Sequence, residues 1–390
     1  MLEPAESTVP RKEAERRMTC LIVVPSLIRA GAETQAVELA NGLANRGHTV
    51  HLCSFESQLD LRARLSDRVV FHHKRRRRKY DVPLTRKLAQ LIDQERIEVV
   101  LGVLQFATLM AWLASLRSDT RPPVVAGVHT TINRGPKQDL QDRVVYRYML
   151  RRLSSTVFVC NHQRDHWLSK YPELESRSSV VHNGVESDRF ERKHFAAQSR
   201  QLRESLAIPK EHFLLACIAA FRPEKGHRLV LEAFSKVKGN AELVLAGDGS
   251  LRSDMEALAR LLGIQERVRF MGTISDTRPL IGAANATVLA STAVETFSMA
   301  MLESMAMGTP MIAPQIGGLP EAITHDGTGL LFPIGDVSAL QRSIQYCVDQ
   351  PLEVARMGQE AMRTVRERFT LQNMVTGTEQ ILLRSLNGRA

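Results

Sequence analysis

The 390-residue chain has only five cysteines, Cys20, Cys53, Cys160, Cys217 and Cys347, and no two of them form a CxxC pair. That spacing excludes a cysteine zinc cluster and a disulfide-stapled scaffold, and it reads as isolated buried thiols in a reducing compartment. No secretory signal fits the start of the chain, because Met1–Arg17 is polar and of mixed charge and the apolar run that follows it is short. There is no GxGxxG dinucleotide fingerprint and no tandem repeat at a fixed short period. The longest uncharged stretch runs from Val99 to Leu116. A membrane span is one reading of it; its β-branched start favours a buried strand, a turn near Gln105 and an apolar helix.

What is present is a chain 44% hydrophobic and 24% charged, enough to bury two ordinary cores. The charge is unevenly divided. Residues 1–190 hold 30 Lys and Arg against 21 Asp and Glu, whereas residues 191–390 hold 22 against 21. The first half is therefore the one expected to meet an anionic partner: a membrane surface, a phosphorylated acceptor or nucleic acid.

Short apolar runs alternate with amphipathic stretches, the pattern of parallel strands covered by helices. One series comprises residues 20–25, 49–55, 99–103, 124–128 and 156–160; a second comprises 213–220, 243–247, 268–271, 286–289 and 310–313. The expected class is α/β, with two Rossmann-like domains facing each other across a cleft. Residues 1–17 read as a disordered tail, 18–190 as the first domain, 191–210 as a linker and 211–365 as the second domain. Residues 366–390 read as a C-terminal helix that packs back on the first domain. Ligands of such sheets gather at the carboxyl ends of the strands.

The loops at those ends carry the chemistry. Gly31, in SLIRAGAE, opens a helix after the first strand and would let backbone approach an anion, although a plain tight turn is the better reading of the loop alone. Arg222 and Lys225, in AFRPEKGH, offer a planar fork and a point charge suited to a diphosphate, or else two solvated surface cations. Gly247 in LAGDGS contacts a nucleotide or makes a close strand-to-helix turn. In ASTAVETFSMAMLESMAMG, Glu295 precedes a helix and Glu303 lies within it, eight positions on. Both carboxylates fall towards one side, with the helix N-terminus between them. Its methionines read as core. GGLPE at 317–321 opens another helix, and His129 follows the strand 124–128, where a structural histidine and a cleft residue are equally well described.

Taken in this order, FRPEKG, LAGDGSLR, the run from Glu295 to Glu303 and GGLPE resemble the retaining nucleotide-sugar glycosyltransferases of family four, which have the GT-B fold. VHNGV at 181–185 followed by Phe190 is similar to that family's exit from the first domain, and the resemblance spans roughly Met18 to Leu383. It implies that Arg222 and Lys225 hold the donor pyrophosphate, that Glu303 accepts from ribose hydroxyls and that Glu295 sits by the donor sugar. Backbone amides of Phe297, Ser298 and Met299 would meet sugar hydroxyls or phosphate. Gly31 would close over the phosphates, and His129 would lie near the transferred sugar. The implied reaction retains anomeric configuration, with cationic side chains and helix dipoles in place of a divalent ion, so neither a metal nor another cofactor is expected. UDP is the first nucleotide implied and GDP the next. The acceptor would be lipid-linked or a glycan, in bacterial surface-polysaccharide or glycoconjugate biosynthesis. The chain departs from the family's pattern where Ala30 precedes Gly31, where Thr296, Phe297 and Ser298 replace glycines, and where Ser304 replaces alanine.

The run Lys74, Arg75, Arg76, Arg77, Arg78, Lys79 would rest on an anionic inner-membrane face, making the protein cytoplasmic and peripheral. With Tyr80 its only neighbouring ring, the run is a poor single-strand binder, and no nucleic acid is expected. Two other readings remain: a basic nucleic-acid-binding protein, and a nucleotide-sugar epimerase of the same fold.

Overall fold

The computed structural model describes residues 16–76, 81–129, 145–293 and 295–388. Among these residues thirteen strands form two all-parallel sheets. The first has the order β3-β2-β1-β4-β5-β6-β7, built from Thr19–Val24 (β1), Thr49–Ser54 (β2), Val69–His73 (β3), Val99–Val103 (β4), Val124–Val128 (β5), Ser155–Phe158 (β6) and Ser178–Val180 (β7). The second has the order β10-β9-β8-β11-β12-β13, from Phe213–Ile218 (β8), Ala241–Ala246 (β9), Val268–Gly272 (β10), Ala286–Val288 (β11), Met311–Pro314 (β12) and Gly329–Phe332 (β13). These are two Rossmann-like units of the GT-B type, as expected.

Why the strands read as continuous apolar runs is visible in β1. Leu21 and Val23 face the helices Val82–Gln94 and Gln105–Ser115, while Cys20, Ile22 and Val24 face the helices Gly31–Asn45 and Leu371–Asn387. A parallel sheet covered on both faces has no solvent side to mark with polar residues. The uncharged stretch 99–116 resolves into β4 and the helix Gln105–Ser115, separated by Leu104 at φ 71°. No helix among the described residues is long and apolar enough to cross a membrane.

Three strands, β3, β7 and β13, lie outside the two series read from sequence. All three are sheet edges; β3 and β7 carry mostly exposed or half-buried side chains, and β13 is only four residues long, so none shows a sustained apolar run. Residues 191–210, read from their polarity as a linker, carry the helix Ala196–Ser205, which packs on Arg278–Ala283. Their charge misleads because Arg203 is spent on structure: its guanidinium donates to the carbonyls of Ala283, Pro209, Lys210 and His212 at 3.0–3.2 Å. Of the N-terminal stretch 1–17, only Arg16 and Arg17 are described; Arg16 donates to Asn387 Oδ1 at 2.8 Å.

The chain returns to the first unit at its end. Thr370 bridges Val185, and Met374, Val375, Ile381 and Leu382 of the last helix join the core beneath β1 and β4.

Candidate active site in the interdomain cleft

The loop after β8 is shaped by one glycine. Gly226 has φ 65°, and a Cβ placed there would stand 2.0 Å from the Ala290 carbonyl oxygen, so no other residue fits without moving backbone. The next residue, His227, stacks on Phe221 with ring centroids 4.2 Å apart, and burial pushes its imidazole down to about 4. Between these anchors lies the turn Pro223–Lys225. The Lys225 ammonium reaches Glu295 Oε2 at 2.7 Å, and Ser291 Oγ donates to the same oxygen at 2.8 Å. Thr292 N donates to Glu224 O at 3.0 Å, tying the two loops together. The structure therefore brings Lys225 and Glu295 into one ion pair. Arg222 is exposed on the same loop and takes no part in that pair.

Gly247 supports this loop from below. At φ 145° it passes so close to the Ala219 carbonyl that a Cβ would come within 2.0 Å, and its amide is spent on Gly272 O at 2.8 Å. Of the two sequence readings, the close turn is the one its geometry fits.

The helix Met299–Ala306 begins at Ser298, whose Oγ accepts from Met301 N at 3.3 Å. Apart from this cap, the first-turn amides have no carbonyl acceptor within the helix, as at any helix N-terminus. Met299 meets the other unit: a Cβ on Gly31 would sit 3.5 Å from Met299 Cγ, ordinary contact distance. The Phe297 ring is buried among His182 and Phe369, and its carbonyl accepts from Asn183 Nδ2 at 3.1 Å. Ser304 is buried against Thr287, with hydroxyls 2.7 Å apart, which explains a hydroxyl in that packed position.

Glu303 lies one helical turn beyond Met299 and so on the same face. It borders a cavity of about 430 Å³ between the units, lined also by Arg29, Glu38, Arg64, Arg189, Thr277 and Arg278. Burial raises its carboxyl to about 7, against the hydrogen bond from Thr277 Oγ1 at 3.2 Å and the fields of Arg64 and Arg189. Arg64 and Arg189 both pair with Glu38. The arrangement offers carboxylate acceptors, guanidinium donors and a helix N-terminus around one solvent-accessible volume, a set suited to hydroxyl-rich and phosphorylated ligands.

His129 stands apart from it. It follows β5 and lines a smaller cavity of about 40 Å³ with Gln35 and Asn183; neither Lys225, Glu295 nor Glu303 borders that space. Burial pushes the imidazole down to about 4, so the ring is neutral at pH 7. Residues 130–144, which follow it, lie outside the described set.

The sequence reading missed how the two units are fastened. Glu321 accepts from Asn161 N and Nδ2, His162 N and His182 Nε2, all at 2.8–3.0 Å. Burial alone would raise its carboxyl, but these donors outweigh it and hold the group at about 2. Cys160 Sγ donates to Thr296 O at 3.2 Å across the same junction, while within the first unit Gln35 exchanges two hydrogen bonds with the Gly184 backbone. The motifs VHNGV and GGLPE were legible in the sequence; their contact across the cleft was not.

The basic run also divides. Arg75 is exposed and Lys74 half-buried, while Arg77, Arg78 and Lys79 lie outside the described residues. Arg76 does not fit a row of free cations: it pairs with Glu56 and lies 4.9 Å over the Phe106 ring.

Comparison with known proteins follows the same division. A family model described as glycosyltransferase family 4 matches residues 29–189, and one described as glycosyl transferases group 1 matches residues 198–364. N-acetyl-alpha-D-glucosaminyl L-malate synthase of Bacillus anthracis is 27% identical over 365 residues, covering 90% of this chain and 93% of that protein. The lipopolysaccharide core biosynthesis glycosyltransferase LpsE of Rhizobium meliloti is 31% identical over 181 residues, 46% of this chain and 52% of that protein. Among solved structures, Anabaena HepE in complex with UDP superposes with a TM-score of 0.84 at 20% identity, over 94% of this chain and 100% of that one.

Proposed function

Because the chain belongs to the family-four retaining glycosyltransferases of GT-B fold, we propose that it moves a sugar from a UDP-sugar to a lipid-linked or glycan acceptor in surface-polysaccharide or glycoconjugate assembly. The observation that carries the reading is the Lys225–Glu295 ion pair at 2.7 Å, on the same strand-end face as the helix that presents Glu303 to the cleft. In this reading the donor diphosphate takes Lys225 from Glu295. Arg222 swings in as a second cation, and the freed Glu295 carboxylate accepts from a sugar hydroxyl. The backbone amides from Phe297 to Met299, leading into the helix N-terminus, add partial positive charge. Lys225 and Arg222 stabilise the departing diphosphate, and no divalent ion is required. His129, in its own small cavity and neutral at pH 7, supplies no cationic charge to the transfer. Gly31 closes against Met299 and excludes water, which would otherwise hydrolyse the donor.

The choice of UDP is supported by the UDP and UDP-glucose complexes of HepE, and that of a glycoconjugate acceptor by the name of LpsE. Lys74, Arg75 and Arg77–Lys79 would hold the protein on an anionic cytoplasmic membrane face, each cation contributing about 1 kcal/mol at low salt.

The test is a thermal-shift panel of UDP, GDP, ADP and their sugars with EDTA present. Selective stabilisation by UDP compounds, lost in Lys225→Ala, is expected; indifference to every nucleotide would overturn the assignment. Donor turnover that yields an altered free sugar without acceptor would identify an epimerase instead. Flotation with vesicles containing anionic lipid checks the membrane contact, which should vanish at high salt.

A further inference from the structure

Away from the cleft, three metal-ligating side chains converge from three elements. His51 is the third residue of β2 and His72 the fourth of β3, both on the face covered by the helix Val82–Gln94, and Glu95 caps the end of that helix. His51 Nδ1 and His72 Nε2 are 2.9 Å apart, the rings stack at 5.2 Å, and one ligand atom from each of the three residues falls within 4.8 Å of the others. We propose that His51, His72 and Glu95 form a divalent-metal site of the zinc class, which clamps β2, β3 and the covering helix.

The chemistry favours binding on several counts. Two imidazoles and one carboxylate make a His₂Glu set, with a fourth position left to water. The Glu95 carboxylate supplies the negative charge a dication needs, within 4.8 Å of both ring nitrogens. Tetrahedral zinc holds two nitrogens about 3.3 Å apart, so the rings need separate by only a few tenths of an ångström. One imidazole changes tautomer on binding, since in the metal-free pair one nitrogen must donate to the other.

His51 is 3% exposed whereas Glu95 is open to solvent, so a metal enters from the Glu95 side and finds its inner ligand already oriented. Glu95 lies four residues before β4 begins, at the amino end of the sheet and far from the strand ends that carry the cleft. The site is therefore structural, separate from transfer chemistry and independent of the proposed function.

The experiment uses untagged full-length protein stripped with chelator and titrated with Zn²⁺ by calorimetry, with Co²⁺ absorption as a second readout. One equivalent should bind, Tm should rise by about 4 °C at a hundredfold excess over Kd, and Co²⁺ should show tetrahedral d–d bands. His51→Ala empties a buried position and could unfold the protein, so the deciding variants are His72→Gln and Glu95→Gln, with far-UV circular dichroism as the folding control. Glu95→Gln should weaken Zn²⁺ binding at least tenfold and His72→Gln abolish it, both leaving the metal-free Tm nearly unchanged. Absence of stoichiometric Zn²⁺ binding to the parent protein, or parental affinity in both variants, would overturn the site.

Discussion

Burial in the empty protein favours the neutral acid of Glu303, whereas a hydroxyl-rich ligand would favour its carboxylate. Its carboxyl rises from 4.5 to about 7, chiefly through burial. An acid whose native pKa lies above its unfolded value loses stability as pH rises. The unfolded chain releases its proton near 4.5 and the native protein only near 7, so the penalty grows across that window and is complete above it. The full difference corresponds to about 3 kcal/mol, an upper bound because the neighbouring cavity admits water. Glu303→Gln removes the charge and keeps an acceptor for the Thr277 hydroxyl. The ligand-free variant should therefore be more stable than the parent at pH 8 by up to about 3 kcal/mol, and nearly equal to it at pH 4.5. Donor binding should move the other way. If ribose hydroxyls require the carboxylate, parental affinity falls about tenfold per pH unit below 7, and the variant binds weakly at every pH. Urea denaturation at pH 4.5, 6 and 8, with calorimetric titration of the nucleotide at the same pH values, measures both. A variant less stable than the parent at pH 8, or a stability gap flat with pH, would refute the reasoning.

Lys225→Ala should lower transfer about a hundredfold or more in a steady-state assay while leaving Tm within a degree or two, because only the Glu295 contact is lost from the fold. Gly226→Ala forces a Cβ to within 2.0 Å of the Ala290 carbonyl oxygen; denaturant melts should show a loss of at least about 2 kcal/mol, with activity falling as the Lys225 loop shifts. Glu321→Ala strands the Asn161 and His162 amides and His182, and should cost about 3 kcal/mol at pH 7. Since the Glu321 carboxyl is held at about 2, that contribution is complete above 4.5 and fades as pH falls towards 2, so acid melts of parent and variant should converge there.

Much of the molecule was settled by local pattern. Apolar runs such as Cys20–Pro25 and Phe213–Ala220 specify strands buried on both faces, and the glycines and cations that follow them specify loops at strand ends. The order of FRPEKG, LAGDGS, the Glu295–Glu303 run and GGLPE was enough to indicate the family, because each motif is a few residues long and carries its own backbone requirement. Edge strands β3 and β7 were not legible, since an edge buries little and leaves no alternation to read. Nor was the helix Ala196–Ser205, whose arginine looks solvated in sequence yet donates to four carbonyls.

Tertiary structure decided everything that depends on residues distant in the chain. Seventy positions separate Lys225 from Glu295, and their ion pair exists because two strand-end loops are tied by Thr292 and packed around Gly226. The close packing of Gly247 on the Ala219 carbonyl and the inward turn of Arg76 onto Phe106 were set by what stands opposite each residue. His51, His72 and Glu95 carry no motif spacing at all and meet only through the parallel register of β2 with β3. Sequence determines which backbone shapes and burials are affordable locally; which charges face one another, and hence which carboxylates ionise and which cations are free, follows only once the sheets and the cleft exist.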